Sequence, residues 1–232
     1  MKVLLYGKNS KNIESLVKTL GFEIVTSEPD LIISYGGDGT LLSCEREYPC
    51  IPKLPIRNSQ VCIKCINHED KIVLEKLLKW KLKLQNHQKL QTTFLYKTFY
   101  ALNDFVVRNS DSVHTTRFKI NGGKLLIGDG IVVATPFGSS GYYKSIARQT
   151  FQEGFGVAFN NTIEEMPPLI LKEKDLINFQ LIRGKATLSY DNSPEIFTID
   201  EGSQLQFKLS DQVAKIYTDT SLRCPNCKIT SD

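Results

Sequence analysis

The chain has 232 residues, and its 41% apolar content is enough for one large domain or two modest ones. Lysine and arginine outnumber aspartate and glutamate by 29 to 25, an excess that suits anionic ligands but is far too small for a nucleic-acid-binding domain. No apolar run reaches the roughly 18 to 20 residues of a membrane span, and the N-terminal residues turn polar too early for a signal peptide. We therefore expect a cytoplasmic protein with neither a membrane nor a nucleic-acid partner.

The first 80 or so residues have the pattern of an α/β domain. Residues 3–6 predict a buried strand, and the apolar residues that follow recur at helical spacing. A short strand is predicted around residues 22–25, and an apolar run at residues 31–35 ends at two glycines. Asp70 can cap a further helix that closes this unit.

The pattern then changes to short β-rich runs separated by turn residues, which is typical of a β-sandwich or barrel. These runs lie at residues 81–84, 92–96, 105–107, 118–120, 131–134, 177–182, 186–190 and 204–209. A last strand-like run, residues 214–217, could belong to either unit. We predict an α/β nucleotide-binding domain over residues 1–90, a β-sandwich domain over 91–211, and a C-terminal segment, 212–232, that returns to the first domain.

A glycine-rich loop, Gly36-Gly37-Asp38-Gly39-Thr40, follows the predicted buried strand directly. Consecutive glycines let backbone N–H groups approach an anion, so the loop predicts a phosphate site. A carboxylate beside phosphate needs a function, such as accepting a proton or holding Mg²⁺, and Asp38 is therefore the candidate catalytic residue. The alternative is a plain turn with an aspartate cap.

A second Gly-Asp-Gly, residues 128–130, precedes an apolar run and the stretch Thr-Pro-Phe-Gly-Ser-Ser-Gly-Tyr at residues 135–142. Small hydroxylated residues, glycines and one aromatic residue can hydrogen-bond a sugar or amide and stack on a flat ring. Alone, this stretch is equally typical of a serine- and glycine-rich hairpin loop.

Together these motifs resemble those of the NAD kinase family in their order and rough spacing. The family's GGDGT loop corresponds to residues 36–40, its Asn-Glu pair to Asn103-Asp104, and its third motif to residues 128–142. The resemblance covers most of the chain and implies an α/β nucleotide domain followed by a β-sandwich. It departs at Asp104, where glutamate is usual, and in the third motif at Phe137, Ser140 and Gly141, where Thr or Ser, Thr and Ala are usual. The family's Gly-Ile-Asn segment corresponds to Pro-Ile-Arg-Asn at residues 55–58, and its Gly-Gly-Pro after the third motif is absent around residues 147–150.

The resemblance implies transfer of the γ-phosphoryl group of ATP, with Mg²⁺, to the 2′-hydroxyl of the adenosine ribose of NAD. Asp38 would be the general base. The phosphates of ATP would bind to Gly36, Gly37, Gly39 and Thr40, and NAD would bind to Asn103, Asp104, Asp129, Ser140, Tyr142 and Ser145. Family members assemble, so a homodimer or homotetramer is expected.

Some of these positions have simpler explanations. Asn103-Asp104 could be an ordinary turn before a strand, and Tyr142 could belong to the sandwich core. Asp191 lies in a Tyr-Asp-Asn string that resembles a family turn near the active site, but a hairpin turn explains it equally well.

Six cysteines are expected to be reduced thiols, because nothing indicates export. Four of them form two Cys-x-x-Cys pairs that could complete a zinc site with four thiolate ligands: Cys62, Cys65, Cys224 and Cys227. Unrelated buried or surface thiols are the favoured interpretation, because the two pairs are far apart in sequence. The residues otherwise predict no metal site.

Two other functions share these motifs. A lipid kinase of the diacylglycerol or sphingosine type has the GGDGT loop, but it needs an apolar cavity that the polar residues 135–142 do not suggest. A catalytically weak relative could bind NAD(H) or NADP(H) as a sensor, although a pure binder has no use for Asp38.

Overall fold

The computed structural model describes residues 1–59, 69–111 and 113–219. The strands are β1 (Lys2–Tyr6), β2 (Glu23–Ile24), β3 (Leu31–Gly36), β4 (Lys53–Arg57), β5 (Lys83–Phe94), β6 (Lys97–Ala101), β7 (Asp104–Asn109), β8 (Thr116–Ile120), β9 (Leu126–Gly128), β10 (Gly130–Ala134), β11 (Phe155–Asn160), β12 (Leu169–Leu171), β13 (Ile177–Arg183), β14 (Ala186–Tyr190), β15 (Phe197–Ile199) and β16 (Gln204–Thr218). The helices are α1 (Glu14–Thr19), α2 (Asp38–Glu47), α3 (Asp70–Leu78) and α4 (Tyr142–Ala147), with 3-10 helices at Ser10–Ile13 and Gly138–Ser140.

The chain forms two compact units. Among the described residues, one unit comprises residues 1–59, 69–87 and 213–219, and the other comprises residues 88–111 and 113–212. Strand β16 therefore gives its first part to the second unit and its last part to the first unit.

The first unit is built on a parallel sheet with the strand order β2-β1-β3-β4-β16. Because the strands are parallel, the carboxyl ends of β1, β3 and β4 lie at the same edge of the sheet. In open α/β sheets this is the edge where ligands bind.

Both faces of this sheet are covered, which explains why β3 is apolar along its length instead of alternating. Every residue of β3 is buried. Ile33 belongs to a cluster with Val17 of α1 and Val73 of α3, whereas Ile32 belongs to a different cluster with Cys44 of α2. The buried strand thus fixes α2 against one face of the sheet.

A buried ion pair also links α2 to the sheet. Lys53 of β4 and Glu45 of α2 are 0% and 2% exposed, and the Lys53 ammonium contacts the Glu45 carboxylate. The Lys53 Nζ atom also donates a hydrogen bond to the carbonyl oxygen of Tyr48, at 2.5 Å. These contacts explain how a buried strand can contain a lysine. The strand also contains a proline, Pro55, and the sequence pattern did not predict it.

The second unit is a β-sandwich. One sheet is antiparallel with the order β12-β11-β10-β7-β14-β15, and the other contains β16, β13, β8 and β9, also antiparallel. Aromatic side chains fill the space between the sheets: the rings of Phe105 and Phe207 lie 5.6 Å apart, and those of Phe118 and Phe179 lie 5.4 Å apart. The predicted fold class, an α/β domain followed by a β-sandwich, is confirmed.

Two local features differ from the sequence predictions. The predicted strand at residues 92–96 ends earlier, at Phe94. Leu95 and Tyr96 form the turn between β5 and β6, with φ angles of 49° and 61°. Helix α4, residues 142–147, begins at the last residue of the 135–142 stretch and was not predicted. None of the helices in the described ranges has the length and apolar character needed to cross a bilayer.

Candidate functional site

The glycine-rich loop is a short junction between a strand and a helix. Gly36 ends β3, Gly37 caps the helix with an extended backbone (φ −104°, ψ −171°), and Asp38 is the first residue of α2. Asp38, Gly39 and Thr40 form the first turn and are only partly buried. The first N–H groups of a helix have no partner within the helix and its dipole favours negative charge there, so this end of α2 can hold an anion.

The amide groups of this turn are not equivalent. The N–H of Thr40 donates to the carbonyl oxygen of Gly37 at 3.0 Å, and the N–H of Leu41 donates to the same oxygen at 3.2 Å. The carbonyl oxygen of Gly36 accepts from the N–H of Asn58 at 2.9 Å. Among the predicted phosphate donors, Thr40 therefore already uses its amide in the helix, and its hydroxyl is the group left for a ligand.

Two glycines let neighbouring strands approach this helix start. A Cβ atom on Gly7, after β1, would lie 2.3 Å from the Tyr35 carbonyl oxygen, and one on Gly36 would lie 2.3 Å from the Thr40 hydroxyl oxygen. Gly7 also has φ of +127°, which disfavours any side chain. The structure thus gives Gly36 a packing reason in addition to its predicted role with phosphate.

Two basic residues lie at the same edge of the parallel sheet. Lys8 follows Gly7 and is exposed, and Arg57 is paired in register with Gly36. The Arg57 Nε atom donates to the carbonyl oxygen of Ser59 at 2.8 Å. In the sequence, Arg57 was noted only as a departure from the family pattern. Its position at the carboxyl end of β4, beside the glycine-rich loop, identifies it as a candidate phosphate-binding residue.

In the second unit, Asn103 and Asp104 lie where the chain passes from β6 into β7. Asn103 is partly exposed, and Asp104 is the first residue of β7 and only 8% exposed. The carboxylate of Asp191 accepts three consecutive backbone N–H groups here: Leu102 at 2.5 Å, Asn103 at 2.6 Å and Asp104 at 3.3 Å. Asp191 is 5% exposed and has φ of 44°, so it is a buried anchor as well as a turn residue.

The third motif holds the same segment from the other side. The Thr135 hydroxyl donates to the carbonyl oxygen of Leu102 at 2.6 Å and accepts from the N–H of Gly138 at 2.9 Å. The Thr135 N–H donates to the carbonyl oxygen of Asn103 at 2.9 Å. A Cβ atom on Gly138 would lie 1.9 Å from that same oxygen, so only glycine fits. Thr135 and Gly138 therefore hold the backbone of Leu102 and Asn103, and the Thr135 hydroxyl is used inside the protein.

Asp129 belongs to a different part of the unit. It precedes β10, whereas Asp104 pairs with Ala134 at the other end of that strand. The five residue steps from Asp129 to Ala134 span roughly 17 Å at about 3.4 Å per residue. Its carboxylate accepts from the side chain of Asn161 at 3.0 Å. Nearby, the Tyr142 hydroxyl is 3.4 Å from the side-chain nitrogen of Asn160.

Ser140 and Ser145 flank Tyr142. Ser140 ends the 3-10 helix and is partly buried, whereas Ser145 is exposed on α4. The Ser145 hydroxyl donates to the carbonyl oxygen of Tyr142 at 2.7 Å, which leaves its lone pairs for a ligand.

Within the described residues, no group of three or more histidine, cysteine, aspartate or glutamate side chains is arranged to hold a metal ion. The four predicted zinc ligands, Cys62, Cys65, Cys224 and Cys227, lie outside those residues.

No protein-family model matches the sequence. The chain is 29% identical over 197 residues to an NAD kinase of Sulfurisphaera tokodaii, covering 78% of each chain. It is 26% identical over 240 residues to an NAD kinase of Sulfurimonas denitrificans, covering 93% of this chain and 81% of the relative.

Solved structures share the fold over nearly the whole chain. A crystal structure of an NAD kinase from Archaeoglobus fulgidus in complex with ATP superposes with a TM-score of 0.79 at 19% identity, covering 96% of this chain and 95% of that one. The yeast NADH kinase complexed with NADH gives a TM-score of 0.73 at 16% identity, covering 95% and 84%. The chain is thus similar in sequence to NAD kinases over most of its length. It shares its fold with the two solved kinase structures over almost all of its length.

Proposed function

We propose that the protein is an NAD kinase that transfers the γ-phosphoryl group of ATP to the 2′-hydroxyl of the adenosine ribose of NAD. The observation that carries the proposal is the position of Asp38, a carboxylate in the first turn of a helix that follows two glycines at the carboxyl end of a buried parallel strand. Its sequence relatives are named NAD kinases, which supports the same reaction.

The start of α2 is the proposed site for the phosphates of ATP. Backbone N–H groups at Gly37 and Gly39, the hydroxyl of Thr40 and the helix dipole all favour negative charge at this point. Mg²⁺ would enter with ATP and offset its charge. Lys8 and Arg57, at the same edge, add positive charge where the phosphates would lie.

In the proposed reaction Asp38 accepts the proton of the 2′-hydroxyl as that oxygen attacks the γ-phosphorus. A bond forms between the ribose oxygen and phosphorus, the bond from the γ-phosphorus to the bridging oxygen of ADP breaks, and ADP leaves. Such a transfer depends mainly on positioning and charge neutralisation, so one base is sufficient.

The second unit supplies the proposed NAD-binding residues. The side chain of Asn103 is partly exposed on a backbone held from both sides, which suits an amide that hydrogen-bonds the substrate. Asp104 would bind a ribose hydroxyl, and Ser140, Tyr142 and Ser145 would line the dinucleotide pocket. Asp129 lies at the end of β10 opposite Asp104, and the Tyr142 hydroxyl contacts Asn160 at that same end.

A coupled assay tests the proposal directly. Purified protein with NAD, ATP and Mg²⁺ should form NADP, and omission of Mg²⁺ should abolish the product. NAD binding by calorimetry without NADP formation would instead support the sensor. Phosphorylated diacylglycerol or sphingosine in the same assay format would support the lipid kinase.

We also propose that Cys62, Cys65, Cys224 and Cys227 bind one structural zinc ion. In sequence, one pair follows β4 and the other follows β16, and these strands are adjacent and parallel in the first unit. A salt bridge of 2.8 Å joins Lys76 of α3 to Asp219, five residues before Cys224. Four thiolates at Cys-x-x-Cys spacing are the usual ligand set of a structural zinc site.

The remaining expectations are a cytoplasmic location and assembly into a homodimer or homotetramer. Light scattering of the purified protein measures the assembly, and a monomeric mass would contradict it.

A further inference from the structure

The short segment Leu102–Asp104 has little secondary structure of its own, yet nearly all of its backbone groups are bonded. Three successive N–H groups converge on the Asp191 carboxylate, at 2.5, 2.6 and 3.3 Å. The carbonyl oxygens of Leu102 and Asn103 accept from Thr135 at 2.6 and 2.9 Å. The segment is therefore held from both sides by residues far away in sequence.

Asp191 is tied to this segment in both directions. Its own N–H donates to the carbonyl oxygen of Asp104 at 3.3 Å, while its carboxylate accepts from the N–H of Asp104. Its side chain is buried in the second unit, where hydrogen bonds to an ionised group are stronger than those between neutral groups. If position 191 required only a positive φ, asparagine or glycine would suit it as well, and no charged group would have to be buried there.

We propose that Asp191 is a positioning residue, which fixes the backbone of Asn103 and Asp104 so that their side chains are preorganised for NAD. The inference rests on the proposed function for the identity of the ligand. Preorganisation matters because a displacement of about 1 Å in a binding group can reduce an enzyme's rate about 100-fold. Asp191 itself need not touch NAD.

An amide at this position cannot replace the carboxylate. Asparagine has one acceptor oxygen and an NH₂ group that only donates, so at least one backbone N–H would face a donor. Thr135 provides the second variant, because Thr135→Val removes its hydroxyl with little change in volume, whereas Thr135→Ser keeps the hydroxyl. Asp175 is the matched control: its carboxylate accepts one backbone N–H, from Lys172 at 2.8 Å, in an exposed turn of the same unit.

The first measurement is amide hydrogen exchange, which does not depend on any activity. In Asp191→Asn the amides of Leu102, Asn103 and Asp104 should exchange about 10-fold faster or more, while the strands of the six-stranded sheet keep their protection. Unchanged exchange at these three amides would show that Asp191 does not fix this backbone and would overturn the proposal. Loss of protection throughout the unit would show a general structural role and would equally overturn the proposal.

The second measurement is steady-state kinetics with NAD and ATP varied separately. Asp191→Asn and Thr135→Val should raise the KM for NAD about 10-fold to 100-fold with the KM for ATP within about twofold of wild type, while Thr135→Ser and Asp175→Asn resemble wild type. Equal increases in both KM values, or an unchanged KM for NAD, would overturn the positioning role. A wild-type protein that forms no NADP would instead refute the proposed function. The hydrogen-exchange result alone would then decide whether Asp191 fixes the backbone of this segment.

Discussion

Gly36 and Thr40 are packed so closely that no side chain fits between them. A Cβ atom on Gly36 would lie 2.3 Å from the Thr40 hydroxyl oxygen and 2.8 Å from its Cβ atom. Rotation of the Thr40 side chain would move the hydroxyl but not the Cβ atom, so the second clash would remain. This contact fixes the start of α2, and hence Asp38, against the end of β3.

Substitution of Gly36 by alanine should therefore displace the start of α2. We expect Gly36→Ala to destabilise the protein by about 1 to 3 kcal/mol, as in other overpacked sites, and to lower kcat at least about 10-fold. Denaturant unfolding and the NADP assay measure the two effects. Gly123→Ala is the control, because its Cβ would meet only one atom, the Ile120 carbonyl oxygen at 3.2 Å; an equal loss of activity in that variant would contradict the account.

The buried ion pair between Lys53 and Glu45 should be essential to the first unit. Both side chains are almost fully buried, so Lys53→Met would leave a carboxylate without its cationic partner and should destabilise the protein by about 3 to 5 kcal/mol. The double variant Lys53→Met/Glu45→Leu should regain most of that loss, because it removes both charges. Urea unfolding of the three proteins tests this, and a double variant no more stable than Lys53→Met would refute the explanation.

Tyr35 should make the stability depend on pH in the alkaline range. Burial, together with its hydrogen bond to Asp70 at 3.0 Å, raises the pKa of Tyr35 from 10.0 to about 12. Between these values the unfolded chain loses the proton before the folded protein does, so the free energy of unfolding should fall as the pH rises from about 10 to about 12. Tyr35→Phe should lose less stability over that interval.

The control for this experiment is Tyr96→Phe, which removes a fully exposed phenol. Its stability should follow the wild-type curve. Urea unfolding at several pH values gives the comparison, and Tyr6→Phe adds a second test, since burial and a hydrogen bond to Glu47 also raise the pKa of Tyr6. A Tyr35→Phe curve parallel to that of the wild type would exclude Tyr35 as a source of the pH dependence.

The proposed zinc site predicts the metal content of the purified protein. Elemental analysis should find about one zinc per chain, and Cys224→Ser/Cys227→Ser should remove it. Cys50→Ser is the control, because Cys50 is an exposed free thiol within the described residues. Wild-type protein without zinc, or full zinc content in the double variant, would refute the site.

The parts of the fold that could be predicted from sequence are those with a local pattern. The apolar run of β3 between polar residues and two glycines identified a strand buried on both faces, and it identified the loop after it. Strand β4 was missed because Lys53 and Pro55 are unusual in a buried strand, and the lysine is acceptable there because Glu45 and the Tyr48 carbonyl oxygen bind its ammonium group.

In the candidate site, too, the residues that could be predicted belong to a local sequence pattern, and those that were missed depend on distant contacts. The glycine-rich loop is contiguous, so Asp38 could be identified from five neighbouring residues. The role of Asp191 depends on hydrogen bonds to residues 87 to 89 positions away, and its local sequence shows only a turn. Residues 135–142 were expected to hydrogen-bond a ligand, but the structure directs the hydroxyl of Thr135 in that stretch to the backbone carbonyl oxygen of Leu102.

The central claim is that Asp38 removes the proton from the attacking hydroxyl, and the turnover of Asp38→Asn tests it most directly. The variant keeps the size of the side chain, so its unfolding and its affinity for ATP should match those of wild type, as should the activity of a surface control, Asp30→Asn. We predict that kcat for NADP formation falls about 10²-fold to 10⁴-fold in Asp38→Asn. A folded Asp38→Asn protein with near-normal turnover would contradict the mechanism.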